Sequence, residues 1–146
     1  MPGDDMKSAL EFNHIPEVMQ LIQSVSQQIL SEEPIEIIND VKAQMNEPKS
    51  GRVYKRRSVE HRASAPGQAP AIDTGALVNS LIWNKLGTTG AEVIEGVEGK
   101  NYAHALEFAR PEHNLAPRPH MKPAANRAIQ RITKSFQELA KRIENV

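Results

Sequence analysis

Apolar residues recur at helical spacing through the first third of the chain, from Ile15 to Met45. Steps of three and four residues place such side chains on one face of an α-helix. Asn13 is positioned to cap this helix, and Pro16 is tolerated in its first turn. Pro34 interrupts the pattern because proline lacks an N–H group and clashes with the preceding turn. The pattern therefore predicts an N-terminal helix, or a helix pair kinked at Pro34.

A second helical pattern covers the last part of the chain. Its apolar members step by four, three, four, three and four residues: Ala125, Ile129, Ile132, Phe136, Leu139 and Ile143. Arg127, Arg131 and Lys134 fall on the other face of the same helix. This is the pattern of an amphipathic helix, with the apolar stripe expected against the core and the basic face outward.

The central part of the chain predicts a β-hairpin at residues 76–98. Two apolar runs flank the turn sequence GTTG, which is typical of a connection between antiparallel strands. Residues 101–109 read as a short helix or turn, and 110–120 as an extended, proline-rich connection. We expect one α+β domain spanning residues 1–146, in which both helices pack on a small, mainly antiparallel sheet centred on the hairpin.

Two segments show no periodicity of this kind. Residues 1–13 predict a flexible N-terminus, and residues 48–72 predict a long loop that carries basic residues, proline and glycine. Loops of this length in compact domains are usually functional or mobile. We therefore expect the 48–72 loop to project from the domain and to contact partners.

Composition excludes several kinds of site. The chain has 146 residues and no cysteine, which rules out disulfides, thiolate metal sites and a cysteine nucleophile. The N-terminal sequence lacks a secretory signal, and no run approaches the roughly 20 apolar residues that span a bilayer. We expect a protein that is made and kept in the cytosol, or one that joins an assembly built there.

The formal net charge is zero, but the charges are segregated into blocks. Residues 1–47 have a net charge of −7, residues 48–70 of +5, residues 71–116 of −3 and residues 117–146 of +5. Alternating blocks suit surfaces that meet each other or neighbouring copies. Unevenly charged but solvated faces are the alternative.

The run AIDTGALVNS at residues 71–80 contains the Asp-Thr-Gly motif of retroviral-type aspartic proteases. Such enzymes need a second carboxylate, which a chain of this length obtains by dimerising, and they are almost wholly β. Here long helical patterns lie on both sides of the motif. A turn stabilised by Asp73 and Thr74, leading into a strand near Leu77, fits this context better. No catalytic residue is predicted.

Other chemical signals are weak. His104 and Glu107 lie three residues apart, with His113 and His120 downstream, but no compact metal-binding signature is present. The glycine-containing segments lack the context of a phosphate-binding loop. We expect neither a bound metal nor a cofactor, and no enzymatic activity.

The stretch GRVYKRRSVEHR is the better functional candidate. Its basic residues are Arg52, Lys55, Arg56, Arg57 and Arg62. Such a cluster can bind phosphates of a nucleic acid, with affinity that falls steeply as salt rises. It can equally contact the acidic N-terminal helix of a neighbouring copy. Both alternatives remain open at this level, the second being favoured.

Three ordered segments together resemble one known family. A basic segment and an ASAPG loop precede DTGALVNS, NYAHALEFA follows, and APRPHMKPAAN comes last, all within residues 50–126. This order resembles the gp-ten-like tail-component family of long-tailed bacteriophages and prophages, typified by a lambdoid siphophage. The matching positions are Asp73, Thr74, Gly75, Leu77, Ser80, Tyr102, Ala103, Glu107, Phe108, Arg118, Pro119, Pro123 and Ala124.

The chain departs from the family pattern at two places. Ala109 and Arg110 replace an expected Gly-Thr pair, and His120 replaces an aromatic residue. The resemblance implies a non-enzymatic virion protein of the head–tail connection, a neck or tail-completion component that forms a ring and docks to connector and tail proteins. It implies a location in the bacterial cytoplasm during assembly and then in the virion, with non-specific DNA contact in the ring lumen as an option.

Overall fold

The N-terminal pattern forms one continuous helix, α1 (Ile15–Asn46), in a computed structural model that describes residues 14–96 and 102–146. Pro34 lies inside this helix and is buried. Because proline has no N–H, the carbonyl of Leu30 receives no helical hydrogen bond from it. The expected cap, Asn13, and the predicted flexible N-terminus lie outside the described residues.

The C-terminal pattern forms α4 (Met121–Glu144), which packs along α1. Arg127 donates to both carboxylate oxygens of Asp40 at 2.6 and 2.7 Å, and Arg131 donates to Glu33 at 2.9 Å. The residue numbers of these pairs run in opposite directions, so the two helices are antiparallel.

The expected orientation of α4 is correct only in part: Leu139 of the predicted apolar stripe is buried, but other members of the stripe are exposed. Two of the basic residues predicted to face outward, Arg127 and Arg131, face α1 instead. Ile129 is 61% exposed and Phe136 is 45% exposed, although both were expected in the core. The buried residues of α4 are Ala124, Ala128 and Leu139. Small alanine side chains allow close approach of the helices, and the two arginines pair with acids beside that contact.

The predicted central hairpin is confirmed as β3 (Ile82–Leu86) and β4 (Gly90–Ile94), with Ile82 opposite Ile94. Its beginning differs from the prediction. Residues near Leu77 form a single helical turn, α2 (Ala76–Asn79), and not the start of the strand. Residues 97 and 98 of the predicted hairpin lie outside the described residues.

The predicted long loop contains a second hairpin, which the sequence pattern did not predict. Its strands are β1 (Val53–Arg56) and β2 (Val59–Arg62), paired antiparallel. Arg57 and Ser58 form the connection with positive φ angles of 49° and 68°, as in the two-residue turns that suit twisted hairpins. The alternation of apolar and polar residues that marks a half-buried strand is missing, because these strands are exposed along almost their whole length.

The core lies between α1, α4 and the β3–β4 hairpin. Its buried members are Ile38, Val41, Met45, Leu81 and Ala124. Trp83 and Val93 of the hairpin pack against them. The α+β class is therefore confirmed, with two separate two-stranded antiparallel sheets.

A short helix or turn was expected between the β3–β4 hairpin and α4, and the structure has a short helix there. Residues 102–108 form helix α3 (Tyr102–Phe108). The segment that follows contains a short 3₁₀ turn (Pro111–His113), closed by a bridge between Arg110 and Leu115. Over residues 14–96 and 102–146, no helix combines the length and apolar character needed to cross a membrane.

The orientation of α4 can be tested by paired truncations. We expect Leu139→Ala to lower the free energy of unfolding by about 2–5 kcal/mol, because it removes a buried side chain. Ile129→Ala on the same helix should change it by less than about 0.5 kcal/mol. Urea unfolding of both variants measures this. Equal losses would contradict the observed orientation.

Candidate functional site

A buried histidine joins three elements of the fold. The His120 side chain is fully buried, and its Nε2 lies 2.6 Å from Oε2 of Glu95, just after β4. Its Nδ1 lies 2.7 Å from the carbonyl oxygen of Arg118. Both acceptors require a donor, so both ring nitrogens carry a proton. The geometry therefore describes an imidazolium that bonds a carboxylate on one side and a backbone carbonyl on the other.

Glu107, from α3, binds the first turn of α4. Its carboxylate accepts backbone N–H bonds from His120 at 2.9 Å, Met121 at 3.1 Å and Lys122 at 2.9 Å. These N–H groups have no partner within the helix itself, and a negative charge is stabilised at a helix N-terminus. Oε2 of Glu107 also lies 3.1 Å from Nδ1 of His120. We call Glu95, His120 and Glu107 the buried triad.

The pKa values of the triad reflect this arrangement. Burial alone would lower the pKa of His120. Its bonds to Glu95 and to the Arg118 carbonyl, together with the charges of Glu95 and Glu107, outweigh burial, so the pKa is raised above its usual value. Burial raises the pKa of Glu107, but the three backbone bonds and the His120 charge outweigh it, so the net shift is downward. Both shifts favour the charged forms that the geometry indicates.

An apolar groove opens beside the triad. It has a volume of about 740 Å³ and lies between α1, β4, α3 and α4. Its apolar lining includes Ile29, Leu30, Ile37, Val93, Met121 and Ile132. Glu33, Glu95 and Glu107 also line it, and Lys122 is its basic residue. The side chain of Glu95 is only 4% exposed, and within the described residues its Oε1 has no hydrogen-bond partner.

Exposed apolar side chains extend beyond the groove. They are Phe108 on α3, which also lines the groove, Ile129 and Phe136 on α4, and Ile15, Met19 and Ile22 at the start of α1. Single exposed apolar residues are ordinary on protein surfaces, but sets of them beside an apolar groove mark interaction sites. We call this set the uncovered apolar face.

A second polar cluster surrounds Asp73. Its Oδ2 accepts a bond from Arg56 at 2.5 Å and one from the Tyr54 hydroxyl at 3.4 Å, and its Oδ1 lies 3.6 Å from His61. All three partners belong to the β1–β2 hairpin. The Arg56 hydrogen bond is the main cause that lowers the pKa of Asp73. Asp73 thereby anchors the hairpin to the segment that leads into α2.

The rest of the motif forms a local turn. The backbone N–H of Ala76 donates to Oγ1 of Thr74 at 3.3 Å, and Gly75 adopts a positive φ of 80°, which favours glycine. The turn interpretation fits this geometry, although the turn leads into α2 and not directly into a strand. Protease chemistry needs a carboxylate that shares a proton with a second one, whereas Arg56 holds Asp73 in its charged form.

The other positions that match the tail-component pattern take part in packing and local hydrogen bonds. Ser80 donates to the Leu77 carbonyl at 2.6 Å and accepts from the Gly96 N–H at 3.1 Å. Arg118 donates from Nε to Oγ of Ser64 at 3.0 Å. Ala103 and Ala124 are buried, Leu77, Pro119 and Pro123 are half-buried, and Tyr102 and Phe108 are exposed. The matching positions, which all lie within residues 50–126, thus include buried, half-buried and exposed side chains.

The structure brings the basic candidates together only in part. Lys55, Arg56 and Arg62 lie on β1 and β2, Arg57 lies in the turn, and Arg52 precedes β1; all five are exposed. Arg56 is engaged with Asp73, and Arg62 donates to the Gly51 carbonyl at 3.2 Å. The cluster is therefore a projecting hairpin with basic residues at its tip.

Two of the histidine candidates lie in different surroundings. His104 is exposed and lies against the ring of Phe108, with ring centroids 4.8 Å apart. His120 is enclosed in the triad. In the described part of the chain, no group of three or more acidic or histidine residues is placed to hold a metal ion.

Sequence reasoning missed the partnership of Glu95 with His120, which are 25 residues apart. In the sequence His120 stood out as one of the histidines downstream of Glu107 and as a departure from an aromatic position. Comparison with known proteins adds no assignment, because no family model, curated protein or solved structure matches this chain.

The triad predicts a pH-dependent stability. The pKa of His120 is higher in the folded protein than in the unfolded chain, where it is about 6.5. Its charged form therefore contributes fully to the free energy of unfolding below about pH 6.5. This contribution is lost as the pH rises through the folded pKa. Urea unfolding at a series of pH values from below about 6.5 upward measures this decline in the free energy of unfolding.

His120→Gln provides the matching control. It removes the cation beside two buried carboxylates, and we expect it to cost about 3–5 kcal/mol. In this variant the free energy of unfolding should also decline less as the pH rises above neutral. An unchanged decline in this variant would contradict a charged His120.

The anchor at Asp73 predicts a local effect on the hairpin. In Asp73→Asn the carboxylate charge that holds Arg56 is lost, so trypsin should cleave between residues 55 and 57 several-fold faster, while the midpoint of thermal unfolding changes little. Asp40→Asn, which also removes an acid paired with an arginine, is the matched control. Equal acceleration in both variants would contradict a specific anchor.

Proposed function

We propose that this protein is a non-enzymatic structural component of a phage or prophage particle, acting at the head–tail connection as a neck or tail-completion protein. It assembles into a ring with copies of itself and docks to neighbouring connector and tail proteins. The ordered resemblance of residues 50–126 to the tail-component family supports this proposal.

The uncovered apolar face is the observation that carries the proposal. The two paired helices present Ile129 and Phe136 to solvent, although the apolar stripe of α4 is long enough to be buried on one face. Burying apolar surface stabilises an assembly by roughly 25 cal/mol per Å² removed from water. A chain that keeps these side chains outside its own core gains that stabilisation when a partner covers them.

The β1–β2 hairpin provides a second contact of different character. It projects its basic tip, whereas the apolar face carries few charges. In a ring each interface joins two different surfaces of identical copies, so a chain needs two distinct contact regions. The apolar face and the hairpin supply such a pair.

Nucleic-acid binding by the hairpin is the second candidate, because Lys55 and Arg57 are exposed and carry no ion pair within the described residues. Phosphate contacts by such residues weaken steeply with salt. Binding to mixed-sequence duplex DNA by the isolated monomer at low salt, lost in Lys55→Glu/Arg57→Glu, would favour this candidate over a purely structural role.

Light scattering behind a sizing column, with negative-stain images of each peak, tests the structural role. We expect the full-length protein to form a discrete oligomer with a central opening. Ile129→Glu/Phe136→Glu should abolish it without lowering the free energy of unfolding, because both positions are exposed.

The matched control for this experiment is Gln130→Glu/Gln137→Glu, which adds the same charge at exposed polar positions of the same helix. This control should assemble normally. A monomer at every protein and salt concentration, or equal loss in both double variants, would contradict ring assembly through the apolar face.

A further inference from the structure

The β1–β2 hairpin has little support from its own chain. Both strands are exposed along almost their whole length, and its anchor to the rest of the fold is the cluster at Asp73. A two-stranded hairpin without a covering layer is marginally stable in water. The hairpin is therefore held in place at one face and open to a partner at the other.

The strand register separates these two faces. Tyr54 and Arg56 pair with His61 and Val59, and side chains alternate between faces along a strand. The Tyr54 face meets Asp73. The opposite face carries Lys55 and Arg62 together with Glu60, which lies directly opposite Lys55. The turn adds Arg57, so the side of the hairpin away from the Asp73 cluster has a net positive charge.

The groove beside the triad has complementary chemistry. Three acidic residues and one basic residue line it, whereas β1 and β2 with their turn carry four basic residues and one acidic residue. Arg131 and His120 already bond Glu33 and Glu95 from behind. Even so, Oε1 of Glu95 is buried and accepts no hydrogen bond from the described residues.

A buried carboxylate oxygen without a donor is costly. Lysine and arginine side chains end in N–H donors, and their alkyl stems pack on apolar surface. A groove with an apolar lining and an unsatisfied carboxylate oxygen therefore suits a long basic side chain. The groove's volume of about 740 Å³ lies in the range of ligand-binding clefts and leaves room for a side chain of this kind.

We propose that this groove receives the basic tip of the β1–β2 hairpin from a second copy of the chain, with Lys55 and Arg57 reaching the carboxylates that line it. This inference rests on the proposed ring assembly and names the contact between its subunits. The residues that line the groove and those that form the hairpin are different, so the contact joins two unlike surfaces.

The outer acidic residues of α1 are a weaker partner for the hairpin. Asp40 is already paired with Arg127 of α4. Glu32 and Glu36 are exposed, and ion pairs between exposed side chains contribute little. The groove offers burial and an unsatisfied acceptor together.

The absence of cysteine from the sequence allows a direct test. One preparation carries Ser58→Cys at the hairpin turn, and a second carries Lys122→Cys at the groove. The two full-length proteins are mixed at high concentration and treated with a short bis-maleimide. We expect a cross-linked heterodimer to form many-fold faster than in a mixture of Ser58→Cys with Lys42→Cys, an exposed position of α1 outside the groove.

Charge reversal tests the chemistry of the contact. Lys55→Glu/Arg57→Glu in the Ser58→Cys protein should abolish the selective cross-link, whereas Lys85→Glu, an exposed basic residue of β3, should leave it intact. These positions are exposed, so folding is preserved, which circular dichroism checks. Equal cross-linking to both cysteine partners, no cross-linking, or no effect of charge reversal would overturn the proposal.

The test separates this inference from the proposed function. Closed rings that form without the selective cross-link would overturn the hairpin contact and leave the ring proposal standing. A selective cross-link in open chains or dimers, with no closed ring in negative-stain images, would support the contact and count against the proposed ring.

Discussion

The fold depends on a single buried cation. His120 lies between Glu95 and Glu107 with no exposed side-chain surface, and through these two residues the end of β4 and helix α3 are both fixed to the start of α4. An imidazolium in such a position is stable only if its partners remain charged, and each glutamate has its own support. Glu107 binds three N–H groups of the helix terminus, and Glu95 has a short bond to the imidazolium itself. Removing His120 leaves two buried carboxylates without the cation that they share.

The buried triad also explains the orientation of α4. Once Glu107 has fixed the first turn of this helix, Arg127 and Arg131 lie opposite Asp40 and Glu33 on α1. The helix cannot turn its apolar stripe inward without breaking both ion pairs and the cap. Ala124 and Ala128 occupy the contact in place of larger side chains. The outward position of Ile129 and Phe136 is thus a consequence of polar contacts made elsewhere on the same helix.

Sequence periodicity predicted the elements of the fold but not their relative rotation. Both long helices and the β3–β4 hairpin follow from local spacing, which is a property of neighbouring residues. The face that α4 buries is decided by Asp40 and Glu33, more than 80 residues away in the chain. Hairpin β1–β2 escaped prediction because exposed strands need no apolar alternation. The triad escaped because a lone histidine among prolines carries no spacing signal toward Glu95.

The Asp-Thr-Gly run shows how a three-residue motif acquires its meaning from its neighbours. In this chain Arg56 and His61 surround Asp73, so the carboxylate is held charged and acts as an anchor for a hairpin. That anchor orients one face of the hairpin inward and leaves its basic side free. A related division occurs on α4, where Arg127 and Arg131 pair with acids of α1 while Ile129 and Phe136 are exposed. In both places polar contacts within the chain decide which side chains are left exposed to solvent.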